Sequence, residues 1–159
     1  MKFVFALNLP SDASSIPFTR NLVGSTMSQL GVDPDCVYDV ELAVTEACTN
    51  VLKHAPGVHA EYEVELTVDL RQASIRIKDT GRGFDHASLA DTGEHSDLQL
   101  DFPEETGRGI ILMRALVDEL EFTSQPEDGD GTIVHLTKAI VLSDDSPLSR
   151  LERSGSHRL

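Results

Sequence analysis

Apolar residues occupy alternate positions at the start of the chain: Phe3, Phe5, Leu7 and Leu9 fall on one side of an extended backbone. That period of two predicts a strand over residues 2–9. The spacing then changes. Ile16, Leu22, Val23, Met27 and Leu30 recur as on one face of a helix, and Gly31 suits its C-terminal cap. A second helical stripe, Val37, Val40, Val44, Ala47 and Val51, follows Asp33 as N-cap and Pro34 as first helical residue; Pro56 and Gly57 end it. Two strands are predicted over 60–70 and 73–78, with a polar turn at Arg71 and Gln72. Periodicity vanishes over 85–105, a length that in a compact domain usually carries function. A helix over 107–117 and strands over 118–124 and 132–142 complete the pattern. Residues 143–159 read as a flexible C-terminal tail in which Leu148 and Leu151 dock weakly.

The order β-α-α-β-β-loop-α-β-β predicts a two-layer α/β sandwich. Helices cover one face of a mixed, mostly antiparallel sheet. Residues 1–142 form one domain without internal repeats, a size that supports a proper core.

Composition narrows the function. The chain has 159 residues, 13 Lys and Arg against 27 Asp and Glu, and a formal net charge of −14. Phosphate neutralisation needs clustered cations, and these are few and scattered, so no nucleic-acid partner is expected. The acidity serves solubility or steers a basic protein partner. No apolar run suits a membrane span, and the opening MKFVFALNLPSD lacks the small-residue cleavage site of a signal peptide. Cys36 and Cys48, twelve residues apart, make no metal motif or disulfide framework, which fits a reducing cytoplasm.

Three stretches carry candidate chemistry. Glu46 and Asn50, with Lys53 and His54 one turn on, share a face of the second helix, largely apart from its apolar stripe. The same row would suit a solvated face. However, small and apolar neighbours place Glu46 and Asn50 at a partly buried margin, and Asn is a mediocre helix former. An Asn oxygen is a hard neutral ligand for Mg²⁺ beside phosphate oxygens, and a Glu one turn away can take a proton from a hydroxyl. Asp79, Gly81 and Gly83 follow a strand; alone they read as a turn. The third glycine of a dinucleotide fingerprint is missing. Asp79 would accept a hydrogen bond from an exocyclic amine, and the glycines would let backbone lie against a flat base. Gly107, Arg108 and Gly109 enter a helix whose free N–H groups and dipole suit an anion, with Arg108 adding charge; a flexible helix start is the plain alternative.

Taken in order, these stretches resemble a known superfamily over almost the whole chain. ELAVTEACTNVLKHA resembles the N box of the GHKL ATPases. IKDTGRGFD resembles the G1 box, ETGRGIILMRALVDELEF the G2 box and DGTIVHL the closing Gly-Thr strand. Within that superfamily, the size and the EAxTNxxxHA form are similar to the bacterial anti-sigma-factor serine kinases. The resemblance implies a Bergerat ATP-binding fold using ATP and Mg²⁺. It makes Glu46 the general base and Asn50 the Mg²⁺ ligand, with Lys53 and His54 near the nucleotide. Asp79 would recognise adenine in a pocket shaped by Gly81 and Gly83 and supported by Thr132. Gly107, Arg108 and Gly109 would hold phosphates, and 85–106 would be an ATP lid. It also implies a cytoplasmic serine kinase of a STAS-domain anti-anti-sigma protein, binding a sigma factor in exchange, in many members as a homodimer. The alternative is a non-catalytic, ATP-gated binding module for a STAS-domain or other signalling partner.

Overall fold

A computed structural model describes residues 1–54, 60–79, 104–125 and 131–155. Nine elements run along them. They are β1 (Phe3–Pro10), α1 (Ser15–Gln29), α2 (Pro34–His54), β2 (Glu61–Val68), β3 (Gln72–Asp79), α3 (Glu104–Leu116), β4 (Glu119–Gln125), β5 (Gly131–Ala139) and α4 (Pro147–Gly155). The strands form one sheet in the order β1-β2-β3-β5-β4. Every pairing in it is antiparallel, so the expected mixed sheet resolves to a fully antiparallel one among the described residues.

The alternation of the strands explains the two layers. Tyr62, Val64, Leu66 and Val68 of β2 and Ala73, Ile75 and Ile77 of β3 are wholly buried, as are Val134 and Leu136 of β5 or nearly so. These residues face α1 and α2, and α2 packs across β3 and β5 with α3 beside it. The intervening positions, such as Glu63, Glu65, Arg76 and His135, turn away from the core and are only partly covered.

Local chemistry sets the helix limits. Gly31 has φ of 84°, its amide bonds to Ser28 O, and the Val32 amide reaches Met27 O at 3.1 Å. These two bonds make a Schellman ending for α1, which needs the left-handed residue that glycine supplies. Asp33 accepts the Asp35 amide through Oδ1 at 2.9 Å and starts α2, with Pro34 as the first helical residue. The stripe predicted for α2 is buried throughout, with Ala43 and Cys48 added to it. At the sheet's hairpin, Asp69 Oδ1 accepts the amides of Arg71 and Gln72; the turn is therefore at Leu70 and Arg71, and Gln72 already belongs to β3.

Two expectations change. Helix α3 begins at Glu104, so residues 104–106 belong to it rather than to the loop, and Gly107 to Gly109 lie inside the helix. Their amides fall at positions where helical bonding begins, and the free N–H groups belong to the turn before them. The stretch after β5 is not simply a tail. Ser146 caps α4, receiving the Ser149 amide at 3.3 Å while donating its hydroxyl to Leu30 O at 2.7 Å. Leu148 is fully buried beneath the helix, whereas Leu151 remains 52% exposed. Ser143 N–H to Gly31 O and Asp33 N–H to Val141 O, each 2.8 Å, bind this segment to the α1–α2 turn.

Candidate active site

The polar row on α2 is placed by the helix that buries Val44, Ala47 and Val51 against the sheet. With that face fixed, Glu46 and Asn50 turn towards α3. The structure brings them to Gly109: a Cβ there would stand 2.9 Å from Glu46 Oε2, 3.7 Å from Asn50 Oδ1 and 3.9 Å from its Nδ2. Only a residue without a side chain lets the α3 backbone approach the carboxylate this closely, whereas the amide stands at ordinary contact distance.

Asn50 is 4% exposed, and its Nδ2 has no hydrogen-bond partner among the described residues. The neighbouring threonines behave differently: Thr45 and Thr49 each return a hydroxyl to the carbonyl one turn back, at 2.7 Å. A buried, unpartnered amide is expensive, costing about 1–3 kcal/mol, unless something outside the chain engages it. Glu46 beside it is half-buried, and Lys53 at the end of the row is exposed. His54 closes α2, but its side chain lies outside the described residues.

A second group forms at the ends of the strands. Tyr62 on β2 is the register partner of Asp79 on β3, and the pairing Lys78 with Ile133 puts Thr132 of β5 next to Asp79 on its other side. All three sit on the core face; Asp79 is 3% exposed and Thr132 4%. Gly81, Gly83 and residues 85–103 of the stretch 85–106 expected to be an ATP lid lie outside the described residues. Gly107 is half-buried, Gly109 buried and Arg108 exposed on α3.

These residues suit a phosphorylated nucleotide with a divalent ion. Among the described residues no group of three or more His, Cys, Asp or Glu is placed to hold a metal. An ion held jointly by one Asn oxygen, phosphate oxygens and water matches Mg²⁺ chemistry instead. The orphaned amide and the Gly109 cradle beside Glu46 are the features that such a ligand would fill.

A model of the histidine kinase-like ATPase domain matches residues 9–138. The chain belongs to this family. Among curated proteins it is 31% identical over 119 residues to the serine-protein kinase RsbW of Staphylococcus epidermidis, covering 72% of this chain and 75% of that one. It is 26% identical over 153 residues to RsbW of Bacillus cereus, covering 90% and 91%. Solved structures share the fold. The SiaB–SiaC complex from Pseudomonas aeruginosa matches with a TM-score of 0.62 at 16% identity, over 86% of this chain and 88% of that one. The RsbU and RsbW domains of a Mycobacterium tuberculosis protein match with a TM-score of 0.59 at 15% identity, over 87% and 32%. Family membership accounts for the order of the motifs along the chain. The matched span runs from the end of β1 almost to the end of β5 and leaves most of β1 and all of α4 outside it.

The sequence reading passed over Tyr62, which lies in the row beside Asp79. An aromatic residue at a buried strand position looks like ordinary core, and only strand register reveals its neighbour.

Proposed function

We propose that this protein is an ATP-dependent serine protein kinase that acts on a STAS-domain antagonist and serves as an anti-sigma factor in a partner-switching circuit. Its RsbW-like relatives carry the name serine-protein kinase, and the family is one of ATPase domains. The observation that carries the reading is the buried, unpartnered amide of Asn50 packed with Glu46 against Gly109.

In this reading Asp79 accepts a hydrogen bond from the adenine amine, with Thr132 beside it. A guanine would present a carbonyl oxygen there and be rejected. Asn50 holds Mg²⁺ through its side-chain oxygen. When bound, the ion neutralises charge on the phosphate oxygens. Glu46 takes the proton of the incoming serine hydroxyl. The serine oxygen bonds to the γ-phosphorus as the bond to the β–γ bridging oxygen breaks, and ADP leaves. Arg108, exposed on α3, meets the transferring phosphoryl group or the partner's backbone near it.

The decisive test is transfer of labelled γ-phosphate to a serine of a STAS-domain partner. Glu46→Gln should reduce transfer about 10²–10⁴-fold, the usual worth of a general base, while ATP binding is retained. Transfer at wild-type rate would remove Glu46 as base. ATP-dependent partner capture with no phosphoprotein in the wild type would instead favour the non-catalytic module.

A further inference from the structure

Beneath the proposed adenine end lies a chain of buried polar groups that no part of the transfer chemistry uses. Tyr62 is wholly buried, and its hydroxyl sits 2.7 Å from Ser15 Oγ and 3.3 Å from Thr19 Oγ1. The buried Cys48 thiol lies near it. Donor counting fixes the direction. Ser15 spends its single hydrogen on Asp12 O at 2.7 Å, and Thr19 spends its own on Ser15 O at 2.9 Å. The Tyr62 hydroxyl therefore donates to Ser15 Oγ. A line of bonds runs from Tyr62 to Ser15 to the Asp12 carbonyl, with the Cys48 thiol beside its start.

Residues of three elements meet there. Cys48 lies between Glu46 and Asn50 in sequence but about 160° around the axis from both, so it faces inward while they face the site. Ser15 and Thr19 belong to the first turns of α1. Tyr62 stands directly across from Asp79 in the sheet, on the same face, where opposed side chains are in contact range.

We infer that Tyr62 is a positioning residue for Asp79: its ring, pinned at the hydroxyl by α1, forms the wall that holds the carboxylate in line with an adenine amine and so sets the preference for adenine over guanine nucleotides. The inference rests on the proposed role of Asp79 in base recognition. A ring fixed at its far end narrows the directions open to the buried carboxylate beside it. When the hydroxyl is removed, the ring can swing and the carboxylate gains freedom.

Tyr62→Phe is well suited to the test. Ser15 and Thr19 keep their backbone acceptors, so no strong donor is orphaned and the fold should survive. ATP and GTP affinities with Mg²⁺ are measured by calorimetry for wild type, Tyr62→Phe, Asp79→Asn and the double variant, with melting curves alongside. Tyr62→Phe should lower the ATP-to-GTP affinity ratio about fivefold, the scale of one hydrogen bond. In the Asp79→Asn background it should change the ratio hardly at all. Ser15→Ala, which removes the acceptor of the tyrosine hydroxyl, should move the ratio in the same direction and serves if Tyr62→Phe fails to fold. An equal weakening of ATP and GTP, or no change in either, would overturn the positioning role while Asp79→Asn still erased the preference. A preference that survives Asp79→Asn would overturn the base-recognition reading and this inference with it.

Discussion

Gly109 is the residue at which α3 comes nearest to Glu46. Its missing side chain lets Glu46 Oε2 lie 2.9 Å from where a Cβ would be, closer than carbon and oxygen normally pack. Gly109→Ala should push the flexible carboxylate aside by a few tenths of an ångström without unfolding the helix, where alanine is otherwise the better former. Phosphoryl transfer should fall about tenfold or more, since misplacement of a catalytic group is costly, with melting temperature unchanged or raised. Unaltered turnover would mean that the Glu46 position is not critical. Asn50 makes the complementary case. Replacing it with leucine removes the unpartnered polar group, so the protein without nucleotide should become more stable by roughly 1 kcal/mol. Its Mg²⁺-dependent ATP binding should be lost at the same time. A structural asparagine would instead lose stability on substitution, and thermal melts with and without Mg·ATP separate the two. At this scale the sequence was informative about identity and silent about contact. Glu46 and Asn50 announce themselves through helical spacing, but the partner that presses on them is a glycine far along the chain.

Elements are held in their relative places by a few specific ties. Lys138 reaches from β5 to Asp39 of α2 at 2.9 Å and to the Leu116 carbonyl at 2.8 Å, where α3 ends. One ammonium thus joins the two helices that carry Glu46, Asn50 and Gly109, and it also complements the C-terminal dipole of α3. Lys138→Met keeps the stem and removes the charge. It should cost about 1–2 kcal/mol and weaken nucleotide binding together with stability, a pairing that calorimetry and melting can show. At the α1 ending, Gly31→Ala meets two penalties: the left-handed φ of 84° and a Cβ placed 2.8 Å from the Ser146 Cα. A loss of at least 1–2 kcal/mol in denaturant titration is expected. A neutral result would show that the α1–α4 junction has room to move. The same junction shows why α4 escaped the sequence reading. Ser146 followed by Pro147 is a helix-start signature, but two leucines among charged and polar residues gave little periodicity. Leu148 is buried in the same core cluster as Leu30, whose carbonyl receives the Ser146 hydroxyl at the start of the helix. Helix α3 was placed a turn late for a related reason: Glu104, Glu105 and Thr106 look like loop when apolar spacing is the only guide.

At the scale of the whole molecule, three buried or half-buried groups among the described residues titrate late. Burial pushes the Cys48 thiol up to about 12 from its usual 9.0. Burial also raises Tyr62, with the neighbouring Cys48 adding to it, and the bond to Asp39 raises Lys138. In each case the folded state holds its proton more tightly than the unfolded chain. Stability from these groups is therefore complete below their unfolded values and declines as pH rises through the folded ones. Melting temperature should be steady up to about pH 9 and then fall, with Cys48→Ala removing the earliest part of the fall. A profile identical in Cys48→Ala would mean that the thiol is more accessible than its burial indicates. The net charge of −14 acts at the same scale: association with a basic partner should slow as salt is raised, whereas folding should respond little.

What the chain determined by itself was local. Period-two and helical spacing set the elements, Asp33, Pro34 and Gly31 set helix ends, and the motifs named the family and the residues to watch. Those signals lie within a few residues of one another, and the physics that produces them is equally short-ranged. The tertiary structure decided the antiparallel order β1-β2-β3-β5-β4, the docking of α4 and the meeting of Asn50 with Gly109. It also set Tyr62 beside Asp79. Such contacts depend on register and on helix rotation, which are fixed only when the whole apolar face is buried at once. A one-residue slip of β2 against β3 would leave every local pattern intact and turn Tyr62 away from Asp79.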